Sequence, residues 1–281
     1  MYTNLNKVLT EAQKFKYTVG AFNMHCLEML PSMIYAAYEM GTPIIIQTSV
    51  GTAKYIGYKN IVSICKNMGD ELMVDVVLHL DHAKNFCDIK EAIDAGYTSV
   101  MFDGSALSFK ENIIRTRRVV DYAHKFNVTV EGEIGTIGGT EEGISVKEED
   151  KVYTNPKDVI NFIEKTDIDA LAIAIGTNHG QYRSKTSLNF ELLKEINSIT
   201  DIPLVIHGGT GVKNEDIPML IKYGIRKFNV GTELIVAWTS VAIEKFKNTK
   251  LNESLRHNVI PCNESVKKVI KDKLKLFCDM K

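Results

Sequence analysis

Three apolar runs in this sequence each end on a histidine, and that repeated placement carries the chemistry. Val74-Asp75-Val76-Val77-Leu78 leads into His79-Leu80-Asp81-His82. Ala170 to Ile175 leads into Gly176-Thr177-Asn178-His179-Gly180, and Ile202 to Ile206 leads into His207-Gly208-Gly209-Thr210-Gly211. In a strand, successive side chains face opposite ways, so His79 and Asp81 share one face. Leu80 and His82 share the other, unless the strand ends at Asp81 and frees His82 to turn toward the same pocket. One histidine pair at a strand end is most simply a hydrogen-bonded edge feature. Three histidines delivered at the same end of three strands meet the requirement of a catalytic zinc site, which takes three protein ligands and keeps a fourth position open. The expected ligands are His82, His179 and His207.

Carboxylates supply the complementary half. Val130-Glu131-Gly132-Glu133-Ile134-Gly135 puts two acids on one strand face, and the stretch Gly138 to Asn155, rich in Gly, Glu and Lys, carries Glu141 and Glu142. Loop glutamates are most often solvated surface charges. A metal with an open position, an acid beside a ligand and a second acid on a closing loop would together suit proton removal next to a carbonyl, with the metal as Lewis acid. The 138–155 stretch therefore reads as a mobile active-site loop rather than a domain boundary.

Positioning these groups needs a regular scaffold, and eight candidate strands provide one: 18–23, 43–48, 74–80, 99–103, 128–133, 170–175, 203–206 and 227–230. Helical patterns with one apolar face alternate with them at 27–40, 60–68, 87–95, 110–126, 156–165, 190–197 and 215–223. Gly41, Gly69, Gly96 and Gly224 follow four of these helices as expected terminators. Strict strand–helix alternation with eight strands predicts an α/β fold, a single (β/α)8 TIM barrel over residues 1–281. A doubly wound open sheet is the alternative with the same pattern. The length of 281 residues suits one barrel, typically ~250 residues. In such a barrel the loops after strands seven and eight tend to hold phosphate, and here they are Gly208-Gly209-Thr210-Gly211 and Asn229-Val230-Gly231-Thr232. Their glycines let backbone N–H groups approach an anion, and two threonine hydroxyls can donate to it.

Composition narrows the partners. With a formal net charge of −1 there is no general field for nucleic acid or a membrane surface, and no apolar stretch approaches the ~20 residues needed to span a bilayer. The five cysteines, Cys26, Cys65, Cys87, Cys262 and Cys278, form no CxxC pair, and the first residues lack a signal-peptide apolar core. A reducing cytoplasm is the expected location.

The sequence resembles the class II, zinc-dependent ketose-bisphosphate aldolases, in the shorter branch that contains tagatose-bisphosphate aldolases and compact fructose-bisphosphate aldolases. The segments that carry the resemblance are 21–28, 79–82, 131–135, 138–139, 174–180, 207–211 and 229–232, in the family's order along nearly the whole chain. The resemblance implies reversible aldol cleavage of a ketose 1,6-bisphosphate to dihydroxyacetone phosphate and glyceraldehyde 3-phosphate. It implies zinc on His82, His179 and His207, with Glu133 near a second or alternative metal position. Asp81 would give a proton to the aldehyde oxygen in condensation and take one from the C4 hydroxyl in cleavage. Glu141, two residues after the paired glycines, would move the dihydroxyacetone phosphate proton, with Glu142 the neighbour one register away. Gly180, Gly208, Gly209, Thr210, Asn229, Val230, Gly231 and Thr232 would bind phosphate, where the family also places a monovalent cation, Na+ or K+. Thr210 stands where serine is more usual. Asn23 would lie near the substrate. A homodimer or homotetramer is implied, with a companion subunit if the chain is tagatose-specific.

Two other readings compete. A Schiff-base aldolase would need a desolvated lysine, and none of Lys84, Lys185, Lys213 and Lys227 sits in an apolar run with a triggering constellation. A non-catalytic metal- or phosphate-binding barrel serving as a subunit of a sugar-phosphate enzyme complex would not need both Asp81 and Glu141. Fructose bisphosphate is the favoured substrate over tagatose bisphosphate, on the ground that a compact chain with a full catalytic set could act unaided. Arg183, Arg226 and Arg256 are the candidates by charge for the far phosphate.

Overall fold

A computed structural model describes residues 1–141, 144–146, 152–180, 188–247, 249–250 and 252–278; for residues 140, 141, 144–146 and 179 it describes the backbone alone. The strands are β1 (Tyr2–Thr3), β2 (Val19–Asn23), β3 (Ile44–Ser49), β4 (Val76–Ala83), β5 (Ser99–Phe102), β6 (Thr129–Ile134), β7 (Gly138–Glu141), β8 (Ile144–Val146), β9 (Ala170–Ile173), β10 (Asn178–His179), β11 (Leu204–Ile206) and β12 (Ile225–Val230). The helices are α1 (Leu5–Phe15), α2 (Met29–Met40), α3 (Val50–Ile56), α4 (Tyr58–Glu71), α5 (Phe86–Ala95), α6 (Phe109–Ala123), α7 (Pro156–Thr166), α8 (Phe190–Ile199), α9 (Ile217–Lys222), α10 (Thr232–Lys247) and α11 (Arg256–Cys278).

Eight parallel strands run in the order β4-β3-β2-β12-β11-β9-β6-β5, and β4 pairs with β5 to close the ring. Closure excludes the open doubly wound sheet. Each of the eight coincides with one expected from the apolar runs. The short β1 extends the ring by pairing with the start of β4, Tyr2 opposite Val76. No helix among the described residues is long and apolar enough to cross a membrane.

Alternation along the strands sorts two interiors. Residues such as Ile44, Ile46, Leu78, Leu80, Val100, Val130, Leu171, Ile206 and Phe228 point outward and pack beneath the surrounding helices. Their neighbours point into the lumen. At the amino-terminal ends of the strands the lumen holds Val19, Ile45, Val77, Ala170 and Val205, packed on Leu5, Val8, Leu9 and Ala12 of α1. That helix is started by Asn4, whose side chain accepts from the Lys7 N–H at 3.5 Å, and it seals the bottom of the barrel.

The sequence reading needs correction at a few positions. Gly69 does not end its helix: α4 continues to Glu71, and Gly69 is buried where a Cβ would lie 3.3 Å from Val76 Cγ2. The 138–155 stretch contains an antiparallel pair, β7 with β8, and β10 adds to β7 in parallel. Beyond the eighth barrel strand the chain adds α10 and α11, which pack on one another and, through α11, on α2.

Candidate active site

Asp81 and His82 reach the same pocket through a bulge. Leu80 pairs with Val100 and Ala83 with Phe102, so Asp81 and His82 together face the single residue Met101. His82 takes φ of +48°, the left-handed region that side chains with a Cβ rarely adopt. The extra residue turns the imidazole off the outer face, where alternation alone would have put it, and over the carboxyl end of the barrel. Strained backbone at such a point is common where geometry serves chemistry.

The two described histidines of the expected ligand set meet there. His207 Nδ1 lies 2.9 Å from His82 Nε2. Each ring's remaining nitrogen faces a carboxylate: His82 Nδ1 donates to Asp103 Oδ2 at 3.3 Å, and His207 Nε2 donates to Glu131 Oε1 at 2.8 Å. A carboxylate accepts and an imidazole has two nitrogens, so both tautomers are fixed with their lone pairs toward each other. Two lone pairs at that distance repel unless a proton or a cation lies between them. Asp81 Oδ1, buried and with no hydrogen-bond partner among the described residues, is 4.0 Å from His82 Nε2. Asp81, His82 and His207 thus offer three converging donors, and His82, Asp103 and Glu133 form a second such group sharing His82. The donor set fits a divalent ion, and each histidine carries the carboxylate partner that oriented metal-binding imidazoles usually have.

Electrostatics match this geometry. Burial opposes a charge on His82, but Asp81, Asp103 and Glu133 outweigh it and hold the metal-free imidazole's pKa up at about 10. Burial also works against ionised Asp81, yet His82, His207 and Lys227 keep its pKa below the ordinary value. Glu133 is pushed well above its ordinary range by burial, reinforced by Asp103. Burial, with Lys227 nearby, holds His79 well below its usual value, and its Nδ1 lies 2.7 Å from Ser99 Oγ. His79 is therefore a neutral lumen residue and not part of the converging set.

Asp81 is held from its other side. Asn23 Nδ2 donates to Oδ2 at 2.9 Å and Gln47 Nε2 at 3.3 Å, while Gln47 also donates to Asn23 Oδ1 at 3.1 Å. Both donors use one oxygen, which leaves Oδ1 directed at the histidines.

The glycine-rich loops form the rim. Gly208 has φ of +69°, and a Cβ there would come 2.2 Å from the Asn178 carbonyl oxygen, so the loop after β11 lies backbone against backbone on the strand that carries His179. That strand, β10, sets His179 opposite Gly139 of β7, two residues before Glu141. The side chains of His179 and Glu141, and all of Glu142 and Arg183, lie outside the described residues. Gly209 to Gly211 make a 3-10 turn, Thr210 Oγ1 accepts from the Glu233 N–H at 3.3 Å, and Thr232 opens α10. Gly180, with φ of +80°, follows β10 directly. Of the expected phosphate positions, Val230 sends its side chain into the outer core and offers the rim its backbone alone. Asn229 sends its side chain into the lumen, beside His207. Arg226 is bound by the Ile221 and Ile225 carbonyls and Arg256 is exposed at the start of α11.

Comparison with known proteins agrees with the site. The family described as fructose-bisphosphate aldolase class-II matches residues 3–280. The chain belongs to the class II fructose-bisphosphate aldolase family. These aldolases are lyases that act on phosphorylated sugars and use a divalent metal. A fructose-bisphosphate aldolase of Staphylococcus aureus (strain Mu50) is 39% identical over 277 residues, 98% of this chain and 96% of that one. The crystal structure of the YdjI aldolase from Escherichia coli K12 superposes with a TM-score of 0.87 at 32% identity, covering 99% of this chain and 98% of that one. A fructose-bisphosphate aldolase from Campylobacter jejuni shares the fold, with a TM-score of 0.83 at 24% identity over 98% of this chain and 95% of its own.

Three polar residues of this aldolase site went unassigned in the sequence. Asp103 follows the run Ser99 to Phe102, the same signal that singles out the histidines. Gln47 sits inside an apolar strand, where its lumen-facing register is the only clue. Lys227 is fully buried in β12.

Proposed function

We propose that this chain catalyses the zinc-dependent, reversible cleavage of a ketose 1,6-bisphosphate, with fructose 1,6-bisphosphate preferred over tagatose 1,6-bisphosphate, through one catalytic domain spanning residues 1–281. The observation that carries the reading is the pair of fixed imidazole nitrogens, 2.9 Å apart, beside the buried Oδ1 of Asp81, which has no hydrogen-bond partner among the described residues. His82, His179 and His207 would hold zinc, and Glu133 would serve a second or alternative position. The chemistry such an ion supplies is Lewis acidity at the ketose carbonyl while the C3–C4 bond breaks.

The chain's own residues move the protons. In cleavage, ionised Asp81 takes the C4 hydroxyl proton through Oδ1, the C4 oxygen forms its carbonyl, and the C3–C4 electron pair stays with the dihydroxyacetone phosphate half. Glu141, entering as the acid, protonates C3. Condensation reverses both transfers, leaving Glu141 the acid and Asp81 the base again. His82, His207 and Lys227 keep Asp81 ionised, and Asn23 and Gln47 keep it aimed. The phosphate would rest on Gly180, the Gly208–Thr210 turn, and the Asn229-Val230-Gly231-Thr232 segment at the start of α10, where the amino-terminal end of a helix favours an anion. A monovalent cation, Na+ or K+, would share that cradle. The working assembly would be a homodimer or homotetramer in the cytoplasm.

The test is turnover of both sugars by the isolated chain, before and after chelation and after zinc is returned. Full activity in verified metal-free protein would overturn the mechanism. A strong preference for tagatose bisphosphate, or activity that needs a companion subunit, would overturn the substrate assignment and leave the aldolase chemistry standing.

A further inference from the structure

Lys227 is fully buried in the lumen, and the proton transfers above give it no task. Its ammonium has donors and no acceptor, so it identifies the atoms that it faces as oxygens. It is paired with Glu131 Oε2 at 2.9 Å and donates to Asn229 Oδ1 at 2.8 Å. A charged nitrogen enclosed in this way is a poor nucleophile, which sets aside the Schiff-base reading for this lysine.

Both contacts act on His207. With Oε2 in an ion pair with Lys227, the Glu131 carboxylate keeps Oε1 for His207 Nε2 at 2.8 Å. His79 Nε2, 3.8 Å from Oε2, is too far to compete for that oxygen as a hydrogen-bond donor. The Asn229 amide, which shape alone would allow either way round, must turn Oδ1 to the lysine. Its Nδ2 then lies 3.3 Å from both nitrogens of His207. A point equally close to both lies along neither lone pair, so the amide flanks the ring while Nδ1 faces His82 Nε2 at 2.9 Å.

We propose that Lys227 is a positioning residue that selects the His207 tautomer, pinning Glu131 and orienting Asn229 so that Nδ1 faces the metal position. The inference rests on reading His207 as a ligand. It is tested on zinc-loaded protein with 15N-labelled histidine, using Lys227→Met and the double variant Lys227→Met/Glu131→Gln. The double variant removes both buried charges together and so gives a folded protein if the single one does not. Wild type should show His207 protonated at Nε2 alone. In the variants a second tautomer should appear, and zinc affinity, read by competition with a chromophoric chelator, should fall about 10- to 100-fold, as for other partners of metal-bound histidine.

A purely structural lysine would lower the melting temperature and leave tautomer and affinity as in wild type. That result in the folded variants overturns the proposal. His207→Ala separates the two levels: if it keeps wild-type zinc affinity, the ligand reading fails. If it loses zinc while the Lys227 variants keep tautomer and affinity, the Lys227 inference alone fails.

Discussion

The two ends of the barrel lumen are built from the same strands and do opposite work. Toward the amino-terminal ends, Val19, Ile45, Val77 and Val205 meet the apolar face of α1. Two or four residues further on, the same strands present Asn23, Gln47, His79, Asp81 and His207. The alternation is unchanged; the side chains are not. Methyl groups at the closed end need fitted volume and little else. Each polar group at the open end needs a partner, because burial without one is costly. The lower lumen can therefore be altered one residue at a time, whereas the upper lumen behaves as a network.

This contrast can be broken at either end. The largest effect should follow metal removal: chelation should abolish cleavage and zinc restore it, and His207→Ala should lower metal content per chain, measured by elemental analysis. Next, Asp81→Asn and Glu141→Gln should keep the metal and lose roughly 10²- to 10⁴-fold in turnover. Their partial reactions should differ: solvent exchange of the dihydroxyacetone phosphate C3 proton should fail in Glu141→Gln and survive in Asp81→Asn. Loss of exchange in Glu142→Gln instead would move the base by one residue.

At the closed end, Leu9→Ala should cost about 2–5 kcal/mol in urea denaturation and leave kcat of the folded protein unchanged. A matching fall in kcat would mean that the ends are mechanically coupled and that the contrast is false.

The smallest signal is a pH dependence. His82 has a metal-free pKa of about 10 against an ordinary 6.5, so its contribution to metal-free stability is complete below pH 6.5 and is lost as pH rises through about 10. Zinc competes with that proton. Its apparent affinity should therefore rise across this window, with proton release on binding measured by calorimetry in buffers of different ionisation enthalpy.

The eight strands were readable because their signal is repetitive, apolar runs at regular spacing; that they close into a ring rests on the pairing of β4 with β5, since an open sheet has the same pattern. The strand-end histidines were readable for the same reason. The means by which His82 reaches the pocket was not, because a bulge at Asp81-His82 is a matter of register with β5, and no local residue type announces it. The β7, β8 and β10 strands were missed because Gly138-Gly139-Thr140-Glu141 has no apolar periodicity; pairing across the fold makes it a strand. Lys227 entered the sequence reading only as a rejected Schiff-base candidate, yet alternation with Phe228 and Val230 already sends Lys227 and Asn229 to the other face. That this face is a polar lumen depends on Glu131, far away in the chain.

The pairing of β7 with β10 joins two segments that follow different barrel strands into one hydrogen-bonded unit. In the language of amide exchange, such a unit opens and closes together. Protection at residues 138–139 and 178–179 should therefore change in step, with a common opening free energy, when metal or substrate is added. A ligand that orders the segment bearing His179 would then lend part of its binding energy to the segment bearing Glu141, whose backbone it need never touch.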